Sequence, residues 1–113
     1  MAEHVFVVLT NPVEGREEEY NRWYDEVHLG EVLDVPGFVA ARRYRVAPSA
    51  GAVTHRYLAL YHIDSDDVAA SMAELNRRAG SGEMQMSDAL DGGISPTLYE
   101  ALPLSDKLRK SGR

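Results

Sequence analysis

The chain has 113 residues, 44% apolar and 27% charged, the composition of one ordinary globular domain; this excludes a disordered polar chain and leaves no room within it for a second catalytic domain. Twelve Lys and Arg against eighteen Asp and Glu give a net charge of −6, which argues against nucleic acid or an anionic membrane as partner. There is no cysteine, so disulfides, thiolate metal sites and a cysteine nucleophile are excluded.

The first element is an apolar, β-branched run from His4 to Thr10, ended by the turn dipeptide Asn11-Pro12. Both of its alternating faces are apolar, as expected of a central strand covered on two sides. Its core Val5-Phe6-Val7-Val8-Leu9 is too short for a membrane span or a secretory signal, and the reading is a cytoplasmic protein. Over residues 14–27 the period changes: Tyr20, Trp23, Tyr24 and Val27 share one helical face, and Glu17-Glu18-Glu19 suit the positive end of the helix. Gly30 is expected to interrupt this helix, with Glu31-Val32-Leu33 as one further turn before Val35-Pro36-Gly37.

Residues 38–46 and 55–63 read as two strands of a hairpin. Strict alternation places Phe38, Ala40, Arg42 and Tyr44 on one parity, next to Tyr57 and Tyr61 on the neighbouring strand. Ser65 is the expected N-cap of a second helix that turns Val68, Met72, Leu75 and Ala79 inward and stops at Gly80-Ser81-Gly82. After Met84, Met86 and Asp91-Gly92-Gly93, residues 97–102 read as the last strand. The domain thus covers residues 1–104, and the basic tail 105–113 is expected to be flexible.

The order β-α-β-β-α-β predicts an α+β, ferredoxin-like domain with a four-stranded antiparallel sheet and both helices on one face. Strands apolar on both parities leave the other face to be covered, which points to a homodimer or an assembly of dimers.

The candidate chemistry lies on the first helix, in Tyr20-Asn21-Arg22-Trp23-Tyr24-Asp25-Glu26-Val27-His28. His28 borders the aromatic face, where an imidazole can serve as general acid or base, and Tyr24, one turn earlier, can hold an oxygen. Asp25 is placed to fix the imidazole tautomer. Trp23, Asn21, Tyr44, Tyr57 and Tyr61 are the candidate substrate-binding residues, since tyrosines along a sheet can line a pocket for an aromatic ligand. Core packing is the plainer role for each of them. His4, His55 and His62 have no partner at metal-ligand spacing, so no metal is expected, and there is no phosphate-binding loop or serine elbow.

The run Asn11-Pro12, Gly15-Arg16-Glu17, Tyr20-Asn21-x-Trp23-Tyr24-Asp25-x-x-His28 and Val35-Pro36-Gly37-Phe38 resembles the EthD-like branch of the dimeric α/β barrel superfamily. The resemblance covers about the first 46 residues. It implies subunits whose sheets pair into a shared barrel, and a ligand pocket between each subunit's sheet and helices. His28 then fills the place of the motif histidine, beside Trp23 and Tyr24. The family often carries His-x-Pro, where this chain has His28-Leu29-Gly30, and glycine supplies no fixed φ at the pocket rim. Members include polyketide cyclases, cofactor-free monooxygenases and haem-associated proteins, so the fold leaves the reaction open.

The leading expectation is a cofactor-independent acid–base enzyme of cyclase, dehydratase or lyase type. Its substrate is a small hydrophobic, oxygenated, aromatic or polyketide-like compound, with His28 exchanging the proton and Tyr24 stabilising an oxyanion. The alternatives are a non-catalytic small-molecule binding or accessory protein and a cofactor-free monooxygenase. A haem held by His28 as axial ligand has no second sequence feature behind it.

Overall fold

Strand β1 (His4–Thr10) holds the centre of the sheet because both of its edges are paired, with β3 (Tyr57–Ile63) on one side and β4 (Ser95–Glu100) on the other, both antiparallel. Strand β2 (Phe38–Arg45) adds to the outer edge of β3, giving the order β2-β3-β1-β4 expected of a ferredoxin-like α+β domain. The computed structural model describes residues 3–48 and 51–104; the tail expected to be flexible, 105–113, lies outside the described residues.

The helical layer covers one face of this sheet. Tyr20, Tyr24, Val32 and Leu75 come down from the helices onto Phe6, Ala59, Tyr61 and Ile63, and all are buried. Each large apolar side chain so buried contributes about 1.5–3 kcal/mol relative to exposure. On the opposite face Val5, Val7, Leu9, Leu58 and Leu60 stay partly accessible, and Tyr44 and Tyr99 are exposed.

The first helix departs from its expected form in two ways. It begins at Glu17 rather than at residue 14, because Gly15 turns the chain with φ +82°. It also runs unbroken past Gly30: α1 (Glu17–Trp23) continues through a π-helical turn, Tyr24–His28, into α2 (Leu29–Leu33), and the Asp34 N–H still bonds to the Gly30 carbonyl at 3.1 Å. The irregularity therefore falls six residues earlier than glycine content suggests, at Tyr24, whose carbonyl accepts from the Leu29 N–H five residues on.

Gly37 (φ +99°) lets the chain leave α2 and enter β2, and a β-carbon there would collide with Ser65 and Ser71. The cap of α3 (Val68–Ser81) is Asp67 rather than Ser65: its Oδ1 accepts from the Ala70 N–H at 3.0 Å, while the Ser65 hydroxyl accepts from the Asp67 N–H. Gly82, at φ +86°, closes this helix. Strand β4 begins two residues before its expected start and takes in Pro96, which an edge strand tolerates.

A bulge in β2 decides which side chains reach the helices. Phe38 faces Ile63 and Ala40 faces His62, so Val39 is the extra residue, and from there Ala41 faces Tyr61 and Arg43 faces Ala59. The parity after Phe38 is reversed. Arg43 points under the helices, whereas Tyr44 stands beside Leu58 on the open face at 48% exposure.

Candidate functional site

A cavity of about 210 Å³ lies between the sheet and the helices. Phe6, Thr10 and Tyr61 form its floor on the sheet, Tyr24, His28 and Val32 one wall, and Leu75 and Met84 the other. The exposed Asn76, Met86 and Ile94 rim it, so it opens between α3 and the segment that leads into β4.

His28 reaches this cavity because of the π-helical turn. In a regular α-helix residues five apart are separated by about 140° around the axis and cannot stack. Widening the turn sets them one above the other. Accordingly the Trp23 and His28 rings stack with centroids 4.6 Å apart and planes 22° apart, and Tyr24 meets the imidazole edge-on at 5.2 Å. The indole N–H donates to the Gln85 carbonyl at 2.6 Å, which fixes Trp23 behind the histidine rather than in the cavity.

Two residues of the cavity lining each carry a buried polar atom without a hydrogen-bond partner, the imidazole Nδ1 of His28 and the hydroxyl of Tyr61; His4, outside the cavity, has a third at its Nδ1. Burial pulls the His28 imidazole down to about 4, so it is neutral at neutral pH. Burial, and then the neighbouring Tyr20, push the Tyr24 phenol up to about 12. Burial also raises Tyr61, with Tyr24 as the next cause; the two phenols adjoin without a hydrogen bond of normal geometry between them. The site thus combines a neutral imidazole, which can accept a proton, with two phenols that keep theirs and can donate a hydrogen bond to an oxygen.

Three candidate binding residues lie elsewhere. Tyr44 is on the opposite face of the sheet, for the reason given by the β2 bulge. Asn21 and Tyr57 belong to a second cluster, which sequence reasoning missed, centred on Arg43. Its guanidinium donates to Asp25 Oδ1 at 2.8 Å and to Asn21 Oδ1 at 2.7 Å, and lies 4.4 Å over the Tyr24 ring and 5.3 Å from the rings of Tyr20 and Tyr57. Tyr57 donates to Glu17 and accepts from the Asn21 amide at 3.3 Å. Asp25 is therefore committed to Arg43 and does not set the His28 tautomer. Nothing in the run Arg42-Arg43-Tyr44-Arg45 singles out Arg43, and only the bulge turns it towards the helices. Met84 and Met86 both line the cavity.

Among the described residues no group of three His, Asp or Glu side chains could hold a metal ion, and no helix is long and apolar enough to cross a membrane. An apolar cavity of about 150 Å³ holds one benzene ring. The space beside His28, at about 210 Å³, encloses little more than one such ring, so the four pyrrole rings of a haem would extend beyond it.

No family model matches the chain, and no curated protein sequence matches it. Among solved structures it is similar to a candidate monooxygenase from Shewanella loihica PV-4, at 15% identity and TM-score 0.62 over 92% of this chain and 99% of that one. An EthD family protein from Bacillus halodurans C-125 matches at 11% identity and TM-score 0.57, over 90% of this chain and 100% of that one. The haem-degrader MhuD from Mycobacterium tuberculosis matches at 20% identity and TM-score 0.59, over 90% and 99%. Further similar structures are dimeric ferredoxin-like proteins. The chain accordingly has the ferredoxin-like fold of the dimeric α/β barrel proteins, with which the EthD-like motif from Asn11 to Phe38 agrees.

Proposed function

We propose that the chain holds a small hydrophobic, oxygenated compound in the cavity beside His28 and moves a proton on it without a cofactor. The observation that carries this reading is that His28 and Tyr61, whose Nδ1 and hydroxyl are buried without partners, line one cavity. Each such atom costs about 1–3 kcal/mol unless something in the cavity bonds to it. His28 is the proton acceptor, Tyr61 and Tyr24 donate to the oxygen on which charge builds, and Trp23 holds the imidazole plane. Cyclisation of the aldol type, dehydration and lyase cleavage share this step, abstraction of a proton next to a carbonyl.

The test follows exchange of the α-protons of cyclohexanone in D2O by NMR, in the native protein and in His28→Ala. Exchange above the buffer rate that the variant loses is the expected result, and an equal rate in both overturns the catalytic role of His28. One observation favours a second reading, a carrier or sensor: an imidazole that titrates near 4 is a weak base. Saturable binding with no chemical change on long incubation would establish it. A strict need for dioxygen would instead favour a cofactor-free monooxygenase.

A second copy of the chain is the proposed partner on the open sheet face, where Val5, Val7, Leu9, Leu58 and Leu60 are left without a covering layer. Sedimentation should show a dimer that Leu60→Glu converts to monomer; a monomeric native protein removes this part of the proposal.

A further inference from the structure

The lining of the same cavity bears on which molecules it admits. Apart from the His28 imidazole, which is neutral, no titrating carboxylate, lysine or arginine contributes to the wall. The nearest buried cation, Arg43, is already bonded to Asp25 and Asn21 and is not part of the lining. A formal charge entering this space would lose its hydration and meet no counter-charge, which costs several kcal/mol.

The volume sets a second limit. With about 150 Å³ sufficient for benzene, the 210 Å³ between sheet and helices takes one ring and a substituent or two, and a fused pair has to extend through the opening beside Met86 and Ile94. The walls are aromatic, aliphatic and thioether, from Phe6, Leu75, Met84 and Met86, and suit a ring face. His28 and Tyr61, which carry the two unpartnered atoms, both belong to this lining, so an oxygen on that ring has polar side chains beside it.

Resting on the small-molecule reading above, we infer that the ligand is an uncharged, single-ring compound carrying a hydroxyl or carbonyl oxygen, directed at His28 and Tyr61. Carboxylates, multi-ring polyketides and porphyrins are accordingly expected to bind more weakly.

Four probes separate the elements of this inference by calorimetry and by NMR shifts of the His28 ring. The first is p-cresol, which meets every criterion. Toluene has the shape without the oxygen, 4-hydroxybenzoate adds a charge, and 2-naphthol adds a ring. The expected result is that p-cresol binds at least tenfold tighter than each of the others. Tyr61→Phe and His28→Ala each narrow the difference in affinity between p-cresol and toluene measured on the same variant.

Equal binding of 4-hydroxybenzoate or 2-naphthol overturns the limits of charge or size while leaving a small-molecule site in place. Equal binding of toluene overturns the role of the two polar atoms. Failure of all four at millimolar concentration overturns the inference together with the reading beneath it.

Discussion

Tyr57 and Tyr61 stand on the same face of β3, one helical layer above both, and their hydroxyls meet opposite conditions. Tyr57 donates to Glu17, accepts from Asn21 and has the Arg43 guanidinium 5.3 Å from its ring. Tyr61 is 1% exposed and its hydroxyl has no partner. At the first end of the sheet the fold joins Arg43, Asp25, Asn21, Glu17 and Arg56 into a network around three tyrosines. At the other it leaves a phenol and an imidazole, both on residues of the cavity lining, without partners. Buried polar groups in native proteins are nearly always satisfied. Of the three buried side-chain atoms left without a partner among the described residues, two belong to residues lining one cavity, and this marks the second end as the place for a ligand and the first as scaffold.

The largest effect expected from this contrast is acid sensitivity at the cavity end. His28 titrates near 4 in the folded protein and at the ordinary 6.5 when unfolded. Between these values the unfolded chain binds a proton that the folded one refuses, so stability is full above 6.5 and is lost as the pH falls towards 4. The loss is on the order of 3 kcal/mol. Urea midpoints measured from pH 7 to pH 4 should fall more steeply for the native protein than for His28→Phe, and equal slopes would remove the buried neutral imidazole from the account. Carboxylates such as Glu17 and Glu83, held below their usual range by their hydrogen-bond partners Tyr57 and Arg77, are present in both proteins and cancel in the comparison.

At the scaffold end, Arg43→Met removes two charge-assisted hydrogen bonds and the cation over three rings, and should cost about 2 kcal/mol in denaturant. A loss below about 0.5 kcal/mol, the range of an ordinary surface substitution, would reduce the cluster to a surface decoration. The two tyrosines sharpen the contrast further. Tyr57→Phe should cost about 1 kcal/mol, because Glu17 and Asn21 lose a partner. Tyr61→Phe should leave stability unchanged or slightly higher, because the deleted hydroxyl was unsatisfied. A marked destabilisation by Tyr61→Phe would mean that its hydroxyl is bonded after all, and the contrast would fail.

Much of this architecture was legible in the residues. The change from two-residue to helical periodicity and back gave the β-α-β-β-α-β order. The Tyr20-to-His28 run put Tyr24 and His28 on the helix that walls the cavity. Trp23 was expected to touch ligand and instead backs the imidazole, since its indole N–H is taken by the Gln85 carbonyl. Tyr44, Asn21 and Tyr57 were expected at the site and are not there. The cause is a single inserted residue at Val39 for Tyr44, and the partnering of Arg43 for the other two.

What the sequence by itself determined is the set of elements and their order, because hydrophobic period, turn residues and caps act over a few neighbours. Tertiary structure alone decided the bulge in β2, the π-helical turn over Tyr24–His28 and the closing of the cavity by Met84 and Ile94. Each of the first two adds one residue to a regular element without leaving the ordinary backbone regions, so no local preference announces it. Packing against elements far away in the chain chooses where it falls, and that choice brought the imidazole of His28 and the hydroxyl of Tyr61 to the wall of one cavity.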